Sequence, residues 1–241
     1  MTANFSMGVS AVIVAGGRGI RMGGNIRKQY LSLAGEPLLC HCLRAFDACK
    51  SLSRIFLVVP ENDQDFCRDS VLSAFTLRKK IRIISGGKER QDSVRNGVLA
   101  AGEYGGIVAI HDGVRPFVLP EQIESTVAYA EKYGAAMLAI PASDTLKQAD
   151  ARGNAVNTLD RGKIWLAQTP QTFQYDLIRT AHESAQQSGY RGTDDASLAE
   201  RTGKKIRIIP GSRFNIKITT PEDLMMAEAL YPVFREMFRP S

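Results

Sequence analysis

The chain has 241 residues, of which 44% are hydrophobic and 23% charged, and its formal net charge is +6. This length supports a full hydrophobic core, and the composition is typical of a soluble globular protein. No apolar run approaches the roughly 20 residues of a membrane span, and no secretory signal opens the chain. We therefore expect a cytoplasmic protein with one domain over residues 1–241.

The positive charge raises the question of nucleic-acid binding. The basic residues are spread along the chain, much of their clustering lies beside glycine loops, and no basic stripe alternates with aromatic residues. This pattern favours a small anionic substrate. The four cysteines, Cys40, Cys42, Cys49 and Cys67, lack a second ligand pair at zinc spacing, so we expect reduced thiols.

The first predicted strand, Ala11 to Val14, runs directly into a glycine-rich turn. Small residues there allow backbone N–H groups to approach an anion closely. The turn contains Ala15, Gly16, Gly17 and Gly19, and the nearby cations are Arg18, Arg21, Arg27 and Lys28. This density of positive charge predicts a polyphosphate site.

The turn does not fit the common nucleotide motifs. A phosphate loop ending in Gly-Lys-Ser or Gly-Lys-Thr is absent, and Met22 stands where a dinucleotide fingerprint needs a small residue. No acidic residue follows a second strand at the distance that NAD binding requires. The prediction is a nucleotide site of neither the ATPase nor the NAD type.

Strands and helices alternate along the rest of the chain. Strands are predicted over 54–59, 81–84, 107–110, 135–140 and 205–209, and helices over 37–48, 63–75, 121–133 and 175–187. This rhythm predicts an α/β fold with a Rossmann-like, mainly parallel twisted sheet and helices on both faces. A last helix begins with Thr220 as N-cap and Pro221, and its buried face is Leu224, Ala227, Leu230 and Val233 or Phe234.

Two further strand ends have polar residues suited to ligand binding. After the third strand come Gly86, Gly87, Arg90 and Ser93, where Asp92 or Ser93 can cap a helix, or Ser93 can contact a base. After the fourth strand come Asp112 and Gly113. Asp112 can bond a ribose hydroxyl, orient Mg²⁺ or cap a turn, and its position alone does not choose among these roles.

Residues 141–163 interrupt the alternation with a long polar segment, which predicts a protruding β-hairpin arm. By itself, Arg161 in this segment is a surface arginine. Farther along, Thr193 is predicted as a helix N-cap, and the charges of Asp194 and Asp195 suit a helix N-terminus.

Several of these segments together resemble one family. AGGRGIRM, KQY, GGKERQDS, HDGVRP, SDTLK, TLDRGKIW and TPQTF are similar to motifs of the 2-C-methyl-D-erythritol 4-phosphate cytidylyltransferases, which are sugar-phosphate nucleotidyltransferases. The resemblance implies transfer of CMP from CTP to 2-C-methyl-D-erythritol 4-phosphate, in isoprenoid precursor synthesis. It also implies Mg²⁺ held mainly by the CTP phosphates, and a homodimer whose arm reaches the neighbouring active site. Neither a nucleic-acid nor a membrane partner is expected.

The resemblance also assigns roles to residues. The catalytic set is Arg21, Lys28, Arg161 and Lys217; the nucleotide set is Ala15, Gly16, Gly17, Gly19, Gly86, Gly87, Arg90, Ser93, Asp112 and Gly113; the acceptor set is Asp112, Thr145, Arg161, Thr193 and Lys217. His111 is expected to be structural, because a phosphate nucleophile needs no base. The chain departs from the family at Arg27, where a proline is usual, and in the additional glycines Gly23 and Gly24.

Three alternatives remain at this stage. A cytidylyltransferase acting on ribitol 5-phosphate shares the same motifs and differs in the arm. A nicotinamide-dependent reductase has a similar sheet, although the glycine fingerprint argues against it. A non-catalytic RNA-binding protein would show steeply salt-dependent binding.

Overall fold

A computed structural model describes residues 8–17, 27–74 and 76–238. The strands are β1 (Val9–Val14), β2 (Ser32–Leu33), β3 (Glu36–Pro37), β4 (Leu52–Val59), β5 (Lys80–Ser85), β6 (Ile107–Asp112), β7 (Ala135–Pro141), β8 (Lys147–Ala149), β9 (Ala155–Thr158), β10 (Trp165–Gln174) and β11 (Arg207–Pro210). The α-helices are α1 (Leu38–Ala48), α2 (Gln64–Phe66), α3 (Arg90–Ala101), α4 (Pro120–Tyr133), α5 (Tyr175–Gln187), α6 (Asp195–Arg201) and α7 (Pro221–Met237).

Seven strands form the central sheet, in the order β11-β7-β10-β6-β1-β4-β5. β1 lies between β4 and β6 and is parallel to both. β10 is antiparallel to its neighbours β6 and β7, while β11 is parallel to β7. The mainly parallel α/β sheet predicted from the alternation is therefore confirmed, with one antiparallel strand inserted into it.

Helices cover both faces of the sheet. Alternate side chains of β1 point to opposite sides, as in any strand. Ile13 packs in a cluster with Leu43 of α1 and Val127 of α4. Val12 packs in a second cluster with Val98 of α3 and with α5. Burial on both faces explains the continuous apolar run from Ala11 to Val14.

The last helix packs in a third, smaller cluster that includes Phe117, Ile218 and Ala227. Thr220 caps it as predicted, because its side chain accepts a hydrogen bond from the Asp223 backbone N–H. Of the two alternatives at the end of its buried face, Phe234 packs against the cluster, whereas Val233 is 48% exposed.

The prediction of one regular helix over 63–75 is wrong. Instead, a 3₁₀ turn (Glu61–Asp63), the short α2, a π turn (Cys67–Val71) and another 3₁₀ turn (Leu72–Ala74) follow one another. The irregular winding buries Cys67 and Val71 in the core and leaves Phe66 half exposed against Tyr30. Phe75 lies outside the described residues.

The predicted arm is a hairpin. β8 and β9 pair antiparallel, and every residue of both strands is exposed. The hairpin makes its own two-stranded sheet and is not part of the central one.

Candidate active site

Three turns that follow parallel strands lie side by side at the carboxyl-terminal edge of the sheet. Each is tied to a neighbouring strand by a backbone hydrogen bond: Ala15 N to Val58 O at 2.8 Å, Gly86 N to Val59 O at 2.7 Å, and Gly113 N to Val14 O at 2.9 Å. This is the edge where ligands bind in open α/β sheets. The turns after β1, β5 and β6 thus share one region, as their positions in the sequence predicted.

The first two turns meet at Ser93. A Cβ atom added to Gly86 would lie 3.1 Å from Ser93 Oγ, and one added to Gly16 would lie 3.5 Å from it. Ser93 Oγ accepts a hydrogen bond from Gly87 N at 3.0 Å and donates to Glu89 O at 3.1 Å. The hydroxyl therefore shapes the turn. α3 begins at Arg90, so neither Asp92 nor Ser93 is its N-cap.

Close contacts restrict the size of two other residues in these turns. A Cβ atom on Gly113 would lie 3.2 Å from the Cβ of Ala15, and a Cβ atom on Gly87 would overlap Asp92. The predicted nucleotide residues that the structure describes are therefore close together. Gly19 lies outside the described residues.

Lys28 reaches the first glycine turn from a 3₁₀ turn (Lys28–Tyr30). A Cβ atom on Gly17 would lie 2.9 Å from Lys28 Cε and 3.4 Å from Nζ. The ammonium group thus lies directly beside the backbone of Gly17. Arg21, the other predicted cation of this loop, lies outside the described residues.

Asp112 is the centre of a buried charge cluster. Its carboxylate contacts Arg90 Nε at 2.9 Å, Lys217 Nζ at 2.8 Å and Arg115 Nε at 3.7 Å. Burial alone would raise the pKa of Asp112, but the nearby cations outweigh burial and hold it well below its usual range. Asp112 is therefore ionised at neutral pH.

Arg90 joins this carboxylate to a second one. Its Nη1 lies 2.9 Å from Asp195 Oδ2, and His182 Nε2 lies 3.4 Å from Asp195 Oδ1. Burial opposes ionisation of Asp195, but Arg90 and the adjacent His182 ring lower its pKa. Burial would also lower the pKa of Arg90, yet Asp195 and Asp112 raise it above its usual value. No local pattern in the sequence indicated this buried Asp195–His182 pair.

A cavity of about 230 Å³ lies over the Asp112 cluster. Its lining consists of Arg90, Asp112, Arg115, Ala167, Gln168, Thr169, Gln171, Thr193, Asp194 and Lys217. Three cations and two carboxylates thus face one small volume. Such a lining suits a phosphorylated polar ligand.

Thr193 lines this cavity, but it is not the helix cap that the sequence predicted. The cap of α6 is Asp194, whose carboxylate accepts from Ser197 N at 2.9 Å. Gln171 holds the same helix end, because its Oε1 accepts from the Asp195 and Ala196 backbone N–H groups. The helix starts one residue later than expected, and this leaves Thr193 exposed at the cavity.

Thr145 and Arg161 lie at the base of the arm and are exposed. Arg161 Nη1 donates to Ser143 O at 2.7 Å. Neither residue lines the cavity over Asp112 within this chain. Within one subunit, Thr145 and Arg161 therefore do not join the other predicted acceptor residues, Asp112, Thr193 and Lys217, at the cavity.

His111 is fully buried, and burial lowers its pKa to about 4. Thr169 Oγ1 accepts from Asp112 N at 3.1 Å and donates to His111 Nδ1 at 3.0 Å. The other ring nitrogen, Nε2, then donates to Arg115 O at 3.2 Å. The ring is neutral and structural, as expected.

Arg115 is a functional candidate for which the sequence alone predicted no role, although it lies in the HDGVRP motif. It lines the cavity, approaches Asp112, and donates from Nη1 to Asn215 O at 2.6 Å. Its position three residues after Asp112, in the same turn, could have indicated that Arg115 belongs to the site.

Comparison with known proteins gives a consistent result. The family model described as "2-C-methyl-D-erythritol 4-phosphate cytidylyltransferase" matches residues 9–232. Two proteins of that name match 92% of this chain. The one from Pelotomaculum thermopropionicum is 49% identical, and the match covers 93% of its length. The one from Geotalea uraniireducens is 46% identical, and the match covers 96% of its length. The crystal structure of 4-diphosphocytidyl-2C-methyl-D-erythritol synthase from Anaerococcus prevotii is similar with a TM-score of 0.84 and 30% identity, over 94% of this chain and 97% of that one.

Proposed function

The chain belongs to the 2-C-methyl-D-erythritol 4-phosphate cytidylyltransferase family, and from this membership we propose how its residues carry out the reaction. CMP passes from CTP to 2-C-methyl-D-erythritol 4-phosphate, which gives 4-diphosphocytidyl-2-C-methyl-D-erythritol and pyrophosphate in isoprenoid precursor synthesis. The named relatives favour neither ribitol 5-phosphate as acceptor nor a nicotinamide-dependent reductase.

One observation supports the mechanism most strongly: Asp112, Arg90, Arg115 and Lys217 converge under one cavity beside the glycine turns. In the reaction, an oxygen of the acceptor phosphate attacks the α-phosphorus of CTP, and the bond to pyrophosphate breaks. The attacking group is already an anion at neutral pH, so no base is required. The main difficulty is electrostatic, because two anions must meet while charge develops on the leaving group.

We assign the nucleotide to the glycine turns. Gly16, Gly17 and Gly19 cradle the triphosphate with backbone N–H groups, and Ala15, whose own N–H is bonded to Val58 O, lines the start of the same turn. Gly86, Gly87 and Ser93 contact the cytosine, Arg90 supports that turn, and Asp112 and Gly113 face the ribose. The described members of this set are close together, and the narrow contacts at Gly87 and Gly113 explain why no larger side chain stands there.

The catalytic cations divide into two groups. Arg21 and Lys28 stabilise the pentavalent transition state and the leaving pyrophosphate. Lys217 and Arg161 hold the attacking phosphate, together with Thr145 and Thr193. The contact of Lys28 with Gly17 and the position of Lys217 at the cavity support this division.

Mg²⁺ is the implied metal, and the residues fit one carried by the nucleotide. Within the described part of the chain, no three His, Cys, Asp or Glu side chains gather as a metal site. Asp112, at the end of β6, already pairs with Arg90 and Lys217. Bound to the CTP phosphates, the metal supplies charge neutralisation. Asp112 is the protein group best placed to orient it.

We infer that residues 1–241 form one nucleotidyltransferase domain and that the arm, residues 141–163, joins two copies into a homodimer. The exposed Val156, Leu159 and Leu166 on and beside the arm offer apolar surface for such a contact. Arg161 then serves the active site of the neighbouring subunit. This arrangement accounts for its distance from the cavity of its own chain.

We also infer a cytoplasmic location, in keeping with the free, buried thiols of all four cysteines. Among the helices that the structure describes, none has the length and apolar character needed to cross a bilayer.

The nucleotide assignment is tested by measuring pyrophosphate release with Mg²⁺, methylerythritol 4-phosphate and each of CTP, UTP, ATP and GTP. We expect release with CTP well above the other three, since Ser93 and the Gly86–Gly87 turn form a site for one base. Equal release with all four would contradict a base site at that turn.

A further inference from the structure

The first turn of α3 is held by side-chain contacts to one distant segment, residues 190–195. Three consecutive residues of α3 take part, each with its own partner. The contacts are Arg90 Nη1 to Asp195 Oδ2 at 2.9 Å, Gln91 Nε2 to Tyr190 O at 3.1 Å, Gly192 N to Gln91 Oε1 at 3.0 Å, and Arg191 Nη1 to Asp92 Oδ1 at 2.6 Å. The segment thus supports the turn that opens with Gly86 and Gly87.

The Arg90–Asp195 pair is costly as a means of stabilising the fold. Arg90 is the first residue of α3, where the helix dipole disfavours a cation. The Asp195 side chain is only 1% exposed, and a buried ion pair is often no more stable than an apolar pair of similar size. Stability alone therefore does not explain why these two charges meet here.

The direction of the guanidinium suggests another role. Arg90 uses Nη1 for Asp195 and Nε for Asp112, so the two carboxylates fix it at two separate nitrogens. His182 contacts the other oxygen of Asp195, and Gln171 anchors the Asp195 backbone. Asp195 is thereby held in one orientation behind Arg90.

We propose that Asp195 is a positioning residue for nucleotide binding, which holds Arg90 so that its Nε meets Asp112. The proposal rests on the nucleotide site assigned above. Because the same segment carries Thr193 at the cavity, Asp195 also fixes the side of the site that faces the acceptor. The two substrate sites share this one support.

The kinetic consequence follows from what Arg90 and Asp112 contact. Base and ribose gain no charge in the transition state, so losing their support weakens ground state and transition state alike. We expect Asp195→Asn to raise KM for CTP about tenfold, with a much smaller change in kcat. The dissociation constant of CTP, measured by calorimetry without acceptor, should rise by the same factor.

Asp176→Asn is the matched control. It makes the same change in charge at an 87% exposed carboxylate that lies near Arg179 on α5. Asp195→Asn is also combined with Arg90→Ala. If Asp195 acts through Arg90, the double variant has the CTP affinity of Arg90→Ala alone. Independent, additive losses would overturn the proposal, because they indicate a general structural effect.

Arg191→Ala covers the case in which Asp195→Asn does not fold. Arg191 is 59% exposed, and its loss removes another contact of the same segment with α3. A raised dissociation constant for CTP supports the proposal, and an unchanged one in a folded Asp195→Asn or Arg191→Ala variant overturns it. Activity of the wild-type enzyme is measured separately: if wild type is inactive with CTP, the proposed function fails, not the role of Asp195.

Discussion

Replacing Gly17 with alanine adds a single methyl group beside Lys28. The new Cβ would lie 2.9 Å from Lys28 Cε and 3.4 Å from Nζ. Carbon atoms in contact normally stay about 3.5–4.0 Å apart, so the end of the lysine must withdraw by roughly 1 Å. Gly17 does not have a positive φ, and alanine therefore fits its backbone conformation.

The effect should fall on catalysis and not on folding. The displaced atoms belong to the end of a flexible side chain, so we expect a change in unfolding free energy below about 1 kcal/mol. A misplacement of about 1 Å at a catalytic charge costs on the order of 10²-fold in rate. We therefore expect kcat to fall about 10- to 100-fold while the melting temperature stays near that of wild type.

A double-mutant cycle shows whether the loss passes through Lys28. Lys28→Ala alone should lower turnover about 10²-fold or more, as expected for a lost preorganised charge. Adding Gly17→Ala to Lys28→Ala should cost little further, because the group that the methyl displaces is already gone. The assay is steady-state pyrophosphate release with CTP and methylerythritol 4-phosphate at saturation.

Wild-type turnover in Gly17→Ala would refute this reasoning. So would full additivity of the two substitutions, since the methyl group would then act on the nucleotide itself. Unchanged turnover in Lys28→Ala would remove Lys28 from the catalytic set.

Three other predictions follow from the same structure. Arg161→Ala should raise KM for the acceptor about 10- to 100-fold, as expected for a lost charged hydrogen bond, and should leave KM for CTP unchanged. The control Arg152→Ala, at the exposed tip of the arm, should change neither KM. Equal effects of the two substitutions would exclude a specific role of Arg161. Gly87→Ala should weaken CTP binding measured by calorimetry about tenfold, because the added methyl overlaps Asp92 and moves the turn; unchanged affinity would place the base elsewhere. His111 binds its proton near pH 4 when folded and near 6.5 when unfolded, so acid favours the unfolded state within that window and costs about 3 kcal/mol. Urea denaturation at pH 7 and 4.5 should show a smaller loss of stability for His111→Gln than for wild type, and equal losses would contradict the buried, neutral ring.

The alternation of elements was readable from the sequence because it depends on local patterns. The bounds predicted for α5 match, and the Thr220 cap is present. The antiparallel insertion of β10 was not predicted, since it joins β10 to β6 and β7 through distant pairings. The apolar spacing in 63–75 suggested a regular helix, but the chain forms irregular turns there, which bury Cys67 and Val71.

The predictions for the site show the same difference between local patterns and distant contacts. The glycines after β1 and β5 were found because a strand followed by glycines is a local signal. Asp195 was assigned only to a helix end, because its partner Arg90 is 105 residues away and no pattern reports that contact. The Thr193 cap failed for a smaller reason: Asp194, one residue later, offers a better-placed oxygen to Ser197 N.

The acceptor is the central claim, and pyrophosphate release from CTP and Mg²⁺ tests it most directly, with methylerythritol 4-phosphate in one reaction and ribitol 5-phosphate in another. We predict release with the first acceptor and none above background with the second. Pyrophosphate release only with ribitol 5-phosphate would agree with the fold and the nucleotide site but contradict the assigned reaction. If folded protein releases no pyrophosphate with either acceptor, the nucleotide site is contradicted as well.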